Sequence, residues 1–189
     1  MGTSVNQHSP DIPSWRLARA LLGNSDAAPA DQVAELWRAA VADRSRALES
    51  DLGDALLARA ASIAREARSA QEALNGFDAT VLQSRTCNFA VELGRRALGR
   101  AALAGTGAEG FAAELFAETT SYYIARDLPG FVGSKHRIPT AHEALVLKRE
   151  LQQLARTAAA TPRVSTDVKD WRGYVQEVIG RLTKHGRKR

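Results

Sequence analysis

The chain has 189 residues, of which 44% are hydrophobic and 25% are charged, and its formal net charge is +5. A globular chain of this length buries a core large enough to fold without disulfides or structural metals. No apolar run approaches the ~18 residues of a transmembrane helix, and the first residues lack the basic start and apolar run of a secretory signal. The lone cysteine, Cys87, fits a reducing compartment. We therefore expect a cytoplasmic protein with no membrane contact.

The composition favours helices over strands, because Ala, Leu, Arg and Glu are abundant and aromatic residues make up only 6% of the chain. Residues 1–13 are polar and contain two prolines, so we predict a disordered N-terminus. A short helix then begins at Ser14, a suitable N-cap, and ends before Gly23.

A second helical pattern follows Asp31, where Val33, Leu36 and Trp37 recur at steps of three and four residues and predict one buried face. The pattern weakens near Gly53 and resumes up to Gly76. This stretch is either one long kinked helix or two helices.

The next predicted helix begins at Asp78 and ends at the stretch GTGAEG. The three glycines of that stretch, Gly105, Gly107 and Gly110, have the G-x-G-x-x-G spacing of dinucleotide-binding loops. Such loops follow a strand and precede a helix, whereas the preceding segment here is helical. The stretch is therefore predicted to connect two helices.

A fourth long helix is predicted from Phe111 to the turn at Pro129 and Gly130. It carries Glu114 and Glu118 four residues apart on one face. Paired acids support acid–base chemistry when their surroundings separate their pKa values, but acids on helices are mostly solvated. We expect this pair to be solvated and without a catalytic role.

Two further helices complete the prediction. The first starts at Thr140 and Glu143, which have the T-x-x-E spacing of a capping box. Its predicted apolar face holds Leu145, Leu147, Leu151 and Leu154. The last helix shows the clearest amphipathic pattern in the chain, formed by Trp171, Tyr174, Val175, Val178, Ile179 and Leu182.

Six to seven helices and no strand predict an all-α fold, a single helical bundle over residues 14–183, with residues 184–189 as a basic tail. Two layers of helical hairpins, separated at GTGAEG, are the alternative arrangement.

The sequence offers no metal or cofactor site. The four histidines, His8, His136, His142 and His185, include no H-E-x-x-H pair, and no Glu-x-x-His occurs. We therefore expect neither a metal nor a cofactor.

The positive charge is concentrated in the C-terminal third. Residues 126–189 carry 14 Lys and Arg against six Asp and Glu, while residues 1–125 sum to −3. Such asymmetry is typical of phosphate contacts to RNA or DNA, and a solvated tail that keeps the protein soluble is the alternative. The residues expected to contact nucleic acid are Lys135, Arg137, Arg163, Lys184, Arg187, Lys188 and Arg189.

The segment from Arg137 to His142 reads R-x4-H and resembles the Arg–His motif of the all-α RNases of the HEPN superfamily. The resemblance covers six residues, and Ile138 stands where that family has a polar residue. It implies a metal-independent RNase, often dimeric, in which His142 is the general acid or base and Arg137 binds the phosphate. The other interpretation of the segment is a hinge between helices, since the capping box overlaps it.

Together these patterns predict a non-enzymatic helical interaction protein or accessory subunit of a larger assembly. It would bind protein partners and contact nucleic acid through its basic C-terminal third. The alternative is a HEPN-like RNase that uses Arg137 and His142. A third hypothesis, a sensor that binds a small ligand in its core, lacks a polar cluster in the sequence to support it.

Overall fold

The structure, a computed structural model, describes residues 13–24, 26–42, 51–84, 89–133, 138–160 and 171–186. These residues form eight α-helices: α1 (Pro13–Leu22), α2 (Pro29–Ala42), α3 (Asp51–Glu66), α4 (Ala70–Ser84), α5 (Phe89–Ala104), α6 (Gly107–Asp127), α7 (Ala141–Ala159) and α8 (Trp171–Gly186). A 3₁₀ turn (Leu128–Phe131) follows α6. The described part contains no β-strand, and Val132 and Ile138 form an isolated parallel bridge. The predicted all-α class is confirmed.

The predicted helix boundary at Gly76 and Asp78 is wrong, because α4 runs through both residues to Ser84. The described part has one helix more than the predicted six to seven, because the chain breaks between α3 and α4. The chain leaves the helix at Ala67 and restarts at Ala70. The Ser69 hydroxyl accepts a hydrogen bond from the Glu72 backbone N–H at 3.1 Å, as an N-cap does. The S-x-x-E spacing that announces this cap is present in the sequence.

Glycine residues allow a close contact between α4 and α5 and a tight turn between α5 and α6. A Cβ at Gly94 of α5 would lie 3.1 Å from the Phe77 ring of α4, so glycine permits this close approach. Gly105 and Gly107 have φ values of +65° and +63°, which turn the chain from α5 into α6. The predicted helix–helix connection at GTGAEG is confirmed, although α6 begins four residues earlier than Phe111.

Helix α6 occupies the centre of the fold and packs against α2, α3, α5 and α7. Its buried residues lie on several sides, as expected of a helix that has neighbours around it. Buried apolar side chains from all eight helices form one continuous core with α6 in it. This core is what holds the polar sites described below in fixed positions.

The amphipathic patterns predicted the buried faces of α2 and α8 correctly. Val33, Leu36 and Trp37 are buried, and so are the predicted α8 residues from Tyr174 to Leu182; the Trp171 side chain lies outside the described residues. The prediction for α7 is wrong at Leu145, which is exposed, whereas Leu151 is fully buried.

The ends of the helical region differ from the predicted boundaries. Helix α1 starts at Pro13, because proline is tolerated in the first turn of a helix. Helix α8 extends to Gly186, so the backbone of Lys184 is helical rather than part of a tail. Residues 1–12 and 187–189, and Cys87, lie outside the described residues. Within the described part, no helix combines the length and the apolar character that crossing a bilayer requires.

Candidate functional site

Backbone hydrogen bonds join the end of the 3₁₀ turn to the residue Ile138 that precedes α7. Gly133 N donates to Ile138 O at 2.9 Å, and Ile138 N donates to Phe131 O at 3.1 Å. The Ile138 side chain is buried. The hydrophobic residue that departs from the R-x4-H family pattern therefore lies in the core.

The predicted capping box at the start of α7 is confirmed. The Thr140 hydroxyl accepts from Glu143 N at 3.2 Å, and a Glu143 carboxylate oxygen accepts from Thr140 N at 3.0 Å. His142 follows in the first turn, with an exposed side chain. Arg137 lies outside the described residues, so the structure gives no geometry for the proposed Arg–His pair.

The residues predicted to contact nucleic acid fall almost entirely outside the described part of the chain. Lys135, Arg137, Arg163, Arg187, Lys188 and Arg189 lie outside it, and for Lys184 only the backbone is described.

The cations of the C-terminal third that are described are mostly neutralised by acids. Arg126 pairs with Asp127, Arg156 with Glu114 and Arg181 with Glu177. Within the described residues, Lys148 and Arg149 of α7 form no ion pair. The described part of this third therefore offers less unpaired charge than its composition indicates.

A polar cluster joins α5, α6 and α7 through Glu114 and Glu118. Arg156 of α7 donates two hydrogen bonds to the Glu114 carboxylate, at 2.6 and 3.1 Å. Arg100 of α5 lies 2.9 Å from a Glu118 oxygen and 3.8 Å from Glu114. Gln152 of α7 donates to the same Glu118 oxygen at 3.3 Å.

This network corrects the expectation that the two glutamates are solvated. Glu118 is only 5% exposed, and Glu114 is partly buried. Each carboxylate has an arginine partner, as buried charges require. Because each glutamate of α6 forms an ion pair with an arginine of a neighbouring helix, the cluster links α5, α6 and α7. The described residues include no group of three or more His, Cys, Asp or Glu that could hold a metal.

A second buried polar contact joins α2 to α6 within the apolar core. Trp37 Nε1 donates to Thr120 Oγ1 at 2.9 Å, and its ring stacks on Phe116 with centroids 3.7 Å apart. Tyr174 of α8 meets Phe116 edge-on and donates to Ala159 O at 3.1 Å. Burial raises the pKa of Tyr174 far above its ordinary value, so this phenol stays protonated and serves as a donor.

The outer face of α7 carries apolar side chains that the fold leaves uncovered. Leu145 is 54% exposed and Val146 is 50% exposed. His142 and Arg149 are also exposed and lie one turn before and after this pair. We call these four residues the α7 outer face. The sequence pattern assigned Leu145 to the core, so only the packed structure identifies this surface.

Comparisons with protein-family models, with curated proteins and with solved structures give no significant match to this chain. The resemblance to HEPN RNases therefore depends on its six residues alone.

Proposed function

We propose that the protein is a non-enzymatic interaction module, an accessory subunit that binds a protein partner through the α7 outer face. Its basic C-terminal residues contact the phosphates of RNA or DNA. The observation that carries the proposal is that exposed Leu145 and Val146 share one face of α7 with Arg149, an exposed cation that has no ion pair among the described residues.

The arrangement of this face supports binding to another protein. Helix α7 is fixed from behind by its buried side, through Leu151 and through the Arg156–Glu114 ion pair. A rigid helix that presents apolar side chains next to a cation suits an apolar groove bordered by acidic residues. Such a partner would cover Leu145 and Val146 and pair with Arg149 without reorganising the fold.

The test compares the proteins that co-purify after chemical cross-linking with wild type and with a Leu145→Asp/Val146→Asp variant. Proteins that bind the α7 outer face are recovered with wild type and lost with the variant, because a charge in a buried apolar contact is costly.

Leu103→Asp is the matched control, since Leu103 is 80% exposed on a different helix, α5. Both variants should give the far-UV circular dichroism of wild type. The proposal fails if the α7 variant recovers every protein that the Leu103 control recovers.

The nucleic-acid part of the proposal concerns Arg187, Lys188 and Arg189 above all, because three consecutive cations neutralise phosphates without sequence preference. Replacing all three with Gln should weaken binding to single-stranded RNA or duplex DNA in fluorescence anisotropy at low salt. It should also reduce the steepness of the salt dependence by about 0.9 per lost contact on duplex DNA.

A matched control uses cations that already have acidic partners. Arg95 pairs with Asp78 and Arg96 with Glu92 on the surface of the fold, so an Arg95→Gln/Arg96→Gln variant should bind like wild type. Absence of binding by wild type at low salt would remove nucleic acid from the proposal and leave the protein partner.

The exposed side chain of His142 supports a second candidate, the metal-independent RNase, because a general acid or base must reach its substrate. In buffer with a chelator, wild type should cleave single-stranded RNA and His142→Ala should not. His185→Ala serves as the control and should retain cleavage. Equal cleavage by wild type and His142→Ala would eliminate this candidate.

A further inference from the structure

A small cavity of about 10 Å³ lies where α1, α2, α6 and α7 meet. Most of its wall is apolar, formed by residues such as Leu22, Val33 and Leu151. A cavity of about this volume accommodates one water molecule, provided that polar groups are within reach. The cavity is therefore too small for an organic ligand and large enough for a single small donor.

Gln32 of α2 supplies a polar group to this cavity. The residue is 3% exposed, and its Nε2 donates to Leu21 O at 3.0 Å and to Asn24 O at 3.5 Å, at the end of α1. Two carbonyl acceptors on one side fix the amide orientation, because only its NH₂ group can face them. The buried Oε1 has no hydrogen-bond partner among the described residues, and such an acceptor is costly unless a donor meets it.

The charges beside the cavity favour a neutral donor over a cation. Asp127 lines the cavity, but Arg126 donates two hydrogen bonds to its carboxylate, at 3.0 and 2.7 Å. Arg19 of α1 lies 4.0 Å from the same carboxylate. Two guanidinium groups against one carboxylate leave a positive surplus, which opposes an ammonium or metal ion.

We propose that this cavity binds one water molecule, which donates a hydrogen bond to Gln32 Oε1 and links the end of α1 to α6. Tyr123 and Asp127, both of α6, also line the cavity. The Gln32 amide then bonds on two sides: its NH₂ group donates to carbonyls at the end of α1, and its oxygen accepts from the water. The site would make α1 an integral part of the fold although it is only ten residues long.

The direct test is a crystal structure of the full chain at a resolution that shows ordered water. We expect one density peak in the cavity, about 2.7–2.8 Å from Gln32 Oε1. A cavity without density, or a protein donor on Gln32 Oε1, would overturn the proposal.

A test in solution asks whether a substitution that fills the cavity raises or lowers Tm. Val33→Ile adds one methylene at a fully buried residue that lines the cavity, and Val178→Ile adds the same group at a fully buried residue of α8 that does not line it. If water occupies the cavity, Val33→Ile displaces it and should lower Tm by about 2–4 °C more than Val178→Ile does. If the cavity is dry, Val33→Ile fills a void and raises Tm, which would overturn the proposal.

Gln32→Leu provides a second comparison in the same experiment, because it removes the oxygen that the water contacts. When Val33→Ile is added to Gln32→Leu, it should lower Tm no more than Val178→Ile does in the same variant. An unchanged loss would show that the effect is simple overpacking and would overturn the proposal.

Discussion

Helix α6 meets its neighbours through two contrasting junctions. The junction with α2 is apolar apart from one hydrogen bond. Phe116 stacks on Trp37, and the Thr120 hydroxyl accepts a hydrogen bond from the Trp37 indole. Toward α5 and α7 it offers Glu114 and Glu118, which arginines from those helices neutralise. The comparison shows that one helix can bury aromatic and charged side chains at once, because the indole and both carboxylates at these junctions have hydrogen-bond or ion-pair partners.

The two junctions should contribute differently to stability. Burial of large aromatic rings contributes directly, whereas a buried ion pair gains Coulomb energy and loses hydration in similar amounts. We therefore expect the apolar junction to dominate the free energy of unfolding and the charged junction to fix how α5, α6 and α7 align.

The largest expected effect comes from Trp37→Ala, which removes the stacked ring and the hydrogen bond to Thr120. The free energy of unfolding should fall by about 3–5 kcal/mol in urea denaturation, because a large cavity opens in the core. Trp37→Phe keeps an aromatic ring against Phe116 and should lose substantially less. Equal losses for the two variants would show that the stacked ring is not the source of stability.

A smaller effect is expected from Glu118→Ala at the charged junction. Its partner Arg100 is half exposed and regains hydration, so the loss of free energy of unfolding should be about 1–2 kcal/mol. Glu92→Ala is the matched control, since Glu92 pairs with Arg96 on the surface and should change stability by less than about 0.5 kcal/mol. If the control lost as much as Glu118→Ala, burial of the network would have no energetic role.

The smallest expected effect at neutral pH comes from Tyr174→Phe, which removes the hydrogen bond to Ala159 O and should cost about 0.5–1.5 kcal/mol. The variant also differs from wild type in how its free energy of unfolding depends on pH. Because burial raises the pKa of Tyr174 in the folded state, only the unfolded phenol ionises as the pH rises past its ordinary value of about 10.

Above that pH, wild type should lose up to about 1.4 kcal/mol of unfolding free energy per pH unit from this residue, a loss that Tyr174→Phe lacks. The measurement is urea denaturation of both proteins from pH 8 to pH 11. Parallel curves for wild type and variant would contradict the burial of the phenol.

The sequence predicted the elements of this fold better than its sites. The periodic apolar residues of α2 and α8 predict their buried faces, because each pattern lies within one helix and repeats every three or four residues. Thr140 and Glu143 predict the start of α7 for the same reason, since a cap depends on residues three apart. Ser69 and Glu72 have the same spacing, and the break between α3 and α4 lies at this cap.

The sites depend on residues that are distant in the chain. Glu114 meets Arg156 across 42 positions, and Gln152 meets Glu118 across 34. No local spacing encodes such a pairing, so the sequence presented these acids as ordinary solvated residues. Leu145 shows the converse, because its place in an apolar pattern did not reveal that it is 54% exposed.

The sequence by itself determined the all-α class, most helix positions and the buried faces of the clearest amphipathic helices, because these follow from propensity and short-range periodicity. Only the tertiary structure decided that Glu118 is buried and paired, that Gln32 is buried beside a cavity and that Leu145 is exposed. Each of these depends on which helices pack together, and that is settled by the sum of long-range contacts around α6.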